Sequence, residues 1–246
     1  MESLRTCVIK NRLRWFITQR LDNRLLNTLL IAKDIERYAR TSVMDWKRLE
    51  NNPPESLGIS SVDICNAKCC FCAYRYYSPS RTTMDLKTTK KILDQFCEVG
   101  GKSVDFNSLV GEPLLDPRLY ERIKLAVDKR LRVLLFTNGI LLNKDENVSR
   151  LLRSGMDTLF ISIDGFDRDT YRQIFGVDKY YEVLSGVRKL ITKNREMGGP
   201  ISVKLAIRSG EPASKIFATE DFQNYIKPYL DLCNIGIARA MDNWGD

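Results

Sequence analysis

Seven cysteines stand in this 246-residue chain, at Cys7, Cys65, Cys69, Cys70, Cys72, Cys97 and Cys233, and four of them crowd between positions 65 and 72. A disulfide framework would spread its cysteines and favour an even count, so the crowding reads as metal binding. Cys65, Cys69 and Cys72 are four and then three residues apart, a spacing at which one loop can curl three thiolates around one centre. Thiolate is the ligand that iron–sulfur clusters take. Three protein ligands leave one iron open, which suits catalysis. The competing reading is structural zinc, which wants four ligands in a closed tetrahedron. Cys70 could be the fourth only if two adjacent residues both turned inward. No histidine can help, because the chain has none. The same lack removes the commonest general base and every His-dependent triad.

Elements of a particular kind must hold such a loop. From Leu57 onward short apolar runs, β-branched or aromatic, alternate with stretches of helical period: Ile59–Ile64, Thr88–Val99, Ser103–Asn107, Pro117–Lys129, Leu131–Thr137, Lys144–Arg153, Thr158–Ile163, Tyr180–Lys193 and Ile201–Ile207. Strand and helix in alternation imply parallel strands joined by helical crossovers. Asp145 or Asn147 is expected to cap one helix, and Gly155 to stop it. Ligands of such folds sit beyond the carboxyl ends of the strands. There the chain places the cysteine loop, then Gly111-Glu112-Pro113, then Asn138-Gly139, then Asp164-Gly165. This is the convergence a single site requires.

Residues 1–52 differ. Leu21, Leu25, Leu26, Leu29, Leu30 and Ile35 recur at helical spacing until Asn51-Asn52-Pro53-Pro54 breaks the pattern. We read 1–52 as an N-terminal helical extension and 55–246 as the main domain. No apolar run reaches the roughly 18 residues of a membrane span, and the first ten residues do not form a signal-peptide pattern; a cytoplasmic location is expected. The formal charge is +8, but the basic residues are scattered and no nucleic-acid motif accompanies them, so nucleic acid is not the expected partner. A basic face also suits an acidic electron donor of the flavodoxin or ferredoxin type.

The motif Cys65-x-x-x-Cys69-x-Phe71-Cys72 resembles the defining motif of the radical S-adenosylmethionine (SAM) superfamily, aromatic included. The resemblance implies a partial (β/α)6 TIM-like barrel, an α/β fold, with a [4Fe–4S] cluster on those three cysteines. Its open iron would bind SAM, and reductive cleavage would yield a 5′-deoxyadenosyl radical that abstracts hydrogen from a substrate. It further implies cofactor contacts from Phe71 near the adenine, from Gly111, Glu112 and Pro113 on the methionine ammonium, and from Asn138, Ser162 and Asp164. Val110 stands where the family has a first glycine. An arginine that the family places in an Ile-Arg-Gly run is absent from Gln173-Ile174-Phe175-Gly176, and Arg172 or Arg208 is a substitute. Cys70 lies outside the motif and is read as a small buried hydrophobe.

The resemblance is nearest to the branch that carries a cysteine-rich SPASM extension, where a segment like Met241–Gly245 precedes the first added cysteine. The chain ends at Asp246, so a core lacking that extension is expected. The branch implies a peptide or protein substrate first, a carbohydrate-type molecule second; catalytic acids and bases are not named by it. The alternatives are a non-catalytic iron–sulfur or zinc module, which would not need the Glu112 and Ser162 segments, and an inactive remnant.

Overall fold

The computed structural model describes residues 54–76, 78–106, 110–163, 166–208, 211–230 and 234–238, together with four isolated helical positions, Thr28, Ala32, Ile35 and Glu36. The rest of the N-terminal extension, Cys7, Cys233, Asp164 and the Met241–Gly245 segment lie outside the described residues.

Six parallel strands, β1 Ser56–Gly58, β2 Ser103–Phe106, β3 Arg132–Thr137, β4 Thr158–Ser162, β5 Ser202–Arg208 and β6 Asn234–Ala238, form one sheet in sequential order. Helices occupy the crossovers: α1 Leu86–Glu98, α2 Leu119–Asp128, α3 Asp145–Arg153, α4 Arg168–Phe175, α5 Tyr180–Glu196 and α6 Ala213–Ala218. Sequential order with helical crossovers is that of an open, partial TIM-like barrel. The alternating pattern therefore holds, with two corrections. The first strand is Ser56–Gly58, not Ile59–Ile64; the apolar residues Ile59 and Val62 are buried in the extended segment after it. Neither Asp145 nor Asn147 caps α3: its N-cap is Lys144, without a side-chain bond. Asn147 Nδ2 instead donates to the Leu141 carbonyl at 2.9 Å, and Asp145 pairs with Lys189. Gly155 follows α3 at φ +78°, the left-handed position that a helix stop favours.

The core lies between sheet and helices. Val104, Val133, Leu135, Leu159, Ile161, Leu205 and Ile207 point outward and are 0% exposed, against Leu93, Leu119, Ile123, Leu151 and Leu184 from the helices. Full burial of each such side chain contributes about 1.5–3 kcal/mol, so this layer, rather than surface ion pairs, holds the sheet. The strands alternate with period 2. Their other set, Asp105, Leu134, Phe136, Phe160, Ser162, Lys204 and Ala206, faces the inner, concave side and is only half-buried. A closed barrel would fill this space with side chains; six strands leave it open.

A candidate cluster and cofactor site

The cysteine loop is built from its stems upward. Val62 bridges Thr83, and Met84 N donates to the Ser61 carbonyl at 2.9 Å, closing the loop at its base. Beneath it lies an ion pair with both side chains 0% exposed: Arg122 Nε to Asp116 Oδ2 at 2.8 Å. The same carboxylate oxygen accepts from Ser61 Oγ at 2.6 Å, while the guanidinium also donates to Thr89 Oγ1 and the Met84 carbonyl. One buried arginine thus ties both stems to the turn that follows Glu112. Sequence reasoning missed this pair because Asp116 lies in the turn before α2 and Arg122 within the helix, so no single element's periodicity joins them.

The loop's outer side docks on α4. Lys68 N donates to the Phe175 carbonyl and Cys70 N to the Ile174 carbonyl, each at 2.8 Å. Gly176 ends α4 at φ +66°, and a Cβ there would overlap the Lys68 carbonyl. Cys70 is exposed, correcting its reading as a buried hydrophobe; neighbouring Cys69 is half-buried, as adjacent residues on a turn face opposite ways.

Cys65, Cys69 and Cys72 form no disulfide, and each is half-buried. The Ala67 and Tyr74 amides each donate to a sulfur, of Cys65 and Cys72, at 3.4 Å. Burial pushes the Cys65 thiol up to about 11, with Glu112 and Cys72 adding to the rise against the Ala67 and Asn138 donors. Metal binding, which replaces the proton, offsets that cost. The donors fit a cluster. Among the described residues no three His, Cys, Asp or Glu side chains converge as a single ion needs, and Cys70 turns outward. The thiolates of a cluster each take a different iron and need no common point, and amide-to-sulfur hydrogen bonds are among the devices that tune clusters.

Glu112 is 2% exposed. Its Oε1 accepts from Thr137 Oγ1 at 2.6 Å and Leu114 N at 3.1 Å, and its Oε2 from Asn138 N at 2.8 Å. Burial raises its pKa; these three donors oppose the rise. Asn138 Nδ2 in turn donates to Asn66 Oδ1 at 2.8 Å and lies 3.8 Å from Cys65 Sγ. Glu112, Thr137, Asn138, Asn66 and Cys65 therefore form one connected group at the carboxyl edge of the sheet. Gly111 and Pro113 flank Glu112, and Ser162 ends β4 on the concave side. Phe71 lies in the cysteine loop, half-buried. Arg172 is not drawn into the group: its side chain is 61% exposed and pairs with Asp169 at 3.7 Å. For Arg208 only the backbone, at the end of β5, is described. Two further supports had no sequence signal beyond proximity. Tyr74 Oη accepts from Cys65 N at 3.2 Å, and Arg75 Nη1 donates to the Cys70 carbonyl at 2.6 Å.

Residues 59–203, more than half of the chain, match the family model described as the radical SAM superfamily. The chain belongs to that superfamily. As a radical SAM protein it takes a [4Fe–4S] cluster and SAM as cofactors. It is 26% identical over 191 residues to a probable GTP 3′,8-cyclase of Pyrococcus abyssi, covering 78% of this chain and 60% of that protein. The GTP 3′,8-cyclase of Mannheimia succiniciproducens is 28% identical over 138 residues, covering 54% of this chain and 40% of that one. This radical SAM chain thus spans about half the length of the curated relatives it matches. Among solved structures it resembles Streptococcus suis SuiB bound to S-adenosylmethionine, with TM-score 0.61 and 18% identity over 85% of this chain and 44% of that one. SuiB and a second neighbour, the [FeFe]-hydrogenase maturase HydG (TM-score 0.60, 17% identity, 100% of this chain and 56% of that one), share the partial barrel.

Proposed function

We propose that this chain is a radical SAM enzyme that cleaves SAM reductively and turns the resulting radical on a peptide substrate. The observation that carries the reading is the connected group from Cys65 through Asn138 to Glu112 at the edge of an open sheet. When bound, the cluster supplies the electron that splits the sulfur–C5′ bond of SAM. The chain's residues bind, orient and exclude water. Cys65, Cys69 and Cys72 would hold the cluster. Gly111, Glu112 and Pro113 would present carbonyls and a carboxylate to the methionine ammonium, with Asn138, Ser162, Asp164 and Phe71 lining the rest of the cofactor. Arg172, already paired, is the weakest of these candidates.

A peptide substrate is supported by the fold neighbour SuiB, solved with its precursor peptide SuiA at TM-score 0.56, and by the open concave face, which an extended chain can enter. A nucleotide is the second reading, favoured by the 26% identity to a probable GTP 3′,8-cyclase. The electron donor is read as acidic, since Lys68 and Arg75 stand exposed on the cluster loop. Association driven by such charges weakens with salt, so cluster reduction by flavodoxin should slow steeply as salt rises; a rate insensitive to salt would remove the acidic donor from the reading.

The deciding test is anaerobic. The chain is reconstituted with iron and sulfide, mixed with SAM and dithionite, and 5′-deoxyadenosine is quantified. Product that requires protein, reductant and Cys65 supports the proposal. A four-iron cluster without product would replace it with a non-catalytic module.

A further inference from the structure

The concave face of the sheet carries chemistry that the cofactor site does not use. Alternation along the strands sends Val203 and Leu205 into the outer core, at 2% and 0% exposure, and leaves Lys204 between them on the inner face, half-buried. Lys204 pairs in register with Phe160, and Phe160 with Phe136. The two rings stack at 4.3 Å with 4° between their planes. The Lys204 ammonium sits 4.8 Å above the Phe160 ring. Among the described residues no carboxylate pairs with it.

Exposed lysines such as Lys87 and Lys91 also lack an acidic partner among the described residues, but the other half-buried lysines, Lys129, Lys189 and Lys193, each have one. The structure pairs Lys90, Lys102, Lys124, Lys129, Lys179 and Lys189 with acids. A half-desolvated ammonium that meets only a ring among the described residues keeps donors unused there, and the face of an aromatic ring recovers only part of its lost hydration. An anionic oxygen would complete it through charge-assisted hydrogen bonds. Ser162 lies two residues beyond Phe160, toward the carboxyl edge where the cofactor residues gather. Across the same face Asp105 has a buried Oδ1 with no hydrogen-bond partner among the described residues, an acceptor that a donor group elsewhere on a ligand would satisfy.

We infer that Lys204, with the stacked Phe136 and Phe160, is the substrate-recognition site, and that it takes a substrate carrying a carboxylate or phosphate beside a flat apolar group. The inference rests on the proposed radical SAM activity only in calling the ligand a substrate. Lys204 positions the anion; Phe160 and Phe136 take the flat part.

Competitive reductive methylation of the anaerobic, cluster-loaded protein, read by mass spectrometry at Lys204, tests it. Three probes share a ring: phenyl phosphate, phenylacetate and neutral benzyl alcohol. Lys204 should react readily in the protein alone, and a saturating anionic probe should slow it at least about tenfold, the scale of a 1.4 kcal/mol preference, while benzyl alcohol should not. Stronger protection by phenyl phosphate assigns a phosphate; stronger protection by phenylacetate assigns a carboxylate. An unreactive Lys204, no protection by either anion, or equal protection by benzyl alcohol each overturns the inference. Calorimetry on Lys204→Met and Lys204→Arg supplies a second reading, with the cluster's electron paramagnetic resonance spectrum as the check on folding. Met should weaken the anionic probe by about tenfold or more, and Arg should largely restore it; unchanged binding to the Met variant overturns the inference. Quantifying 5′-deoxyadenosine separates the two proposals: product without protection fails this one alone, and protection without product fails only the enzymatic reading.

Discussion

Adjacent residues of the cysteine loop meet different fates because the turn sends them to opposite sides. Cys69 is half-buried, as are Cys65 and Cys72, whereas Cys70 is exposed. Cys69→Ala should therefore abolish the brown cluster, whereas Cys70→Ala should leave most of it; iron and sulfide counts on the two variants check this, and equal losses would remove Cys69 from the ligand set. Glu112 is held by three donors, so Glu112→Ala would strand three buried groups and cost about 2–3 kcal/mol. Glu112→Gln keeps the shape and most of the bonds, and should fold while responding less to SAM in the cluster's spectrum. Asp105 is a different case. Burial raises its pKa, so the folded chain binds the proton more tightly than the unfolded chain does. Stability then falls as pH rises from the ordinary carboxylate value through the raised one. Asp105→Asn removes that loss, so its melting temperature should exceed the parent's by more at pH 8 than at pH 4. Equal differences at both values would show that the carboxylate is solvated.

Elements hold the loop in two places. On the outer side, α4 presents carbonyls to Lys68 and Cys70, and Gly176 makes the approach possible. Gly176→Ala adds a Cβ in a left-handed position against the Lys68 carbonyl, a change of about 2 kcal/mol once strain and overlap combine. Its cluster should load poorly and be lost to oxygen faster than the parent's, measured by the decay of the visible absorbance. At the base, the Asp116–Arg122 pair is sealed from water. Removing one partner of such a pair costs about 3–5 kcal/mol because the other charge is left buried. Arg122→Met should lower the melting temperature by about 10 °C on the scale of 2–4 °C per kcal/mol for domains of this size. Replacing Asp116 and Arg122 together by apolar residues should restore part of that loss. No restoration would mean that the hydrogen bonds to Ser61, Thr89 and Met84, rather than the charge pair, carry the effect.

At the scale of the whole molecule, the site sits at the rim of the hydrophobic core, with Cys65 and Cys69 packed against the core from one side. The core occupies the layer between sheet and helices, while the residues proposed to hold the cofactors gather at the carboxyl edge and the inner face. Iron removal should therefore expose Cys65, Cys69 and Cys72 to thiol labelling while leaving the helical circular dichroism largely intact. A chain that unfolds on chelation would show that the cluster is part of the folding free energy. No helix among the described residues is long and apolar enough to cross a membrane.

The sequence by itself determined the alternation of strands and helices, the three-thiol loop and the residues following each strand, because these are local: periodicity and spacing are written along the chain. It did not reveal that Glu112 is tied to Thr137 and Asn138, that Arg122 closes the loop from beneath, or that Cys70 faces outward, since such contacts join residues remote in sequence or depend on the sense of one turn. Nor could spacing show that the sheet stays open, leaving Lys204 half-buried over an aromatic pair with no counter-charge among the described residues. Which face of a strand is sealed and which is wet depends on how many strands close around it, and only the tertiary structure decides that.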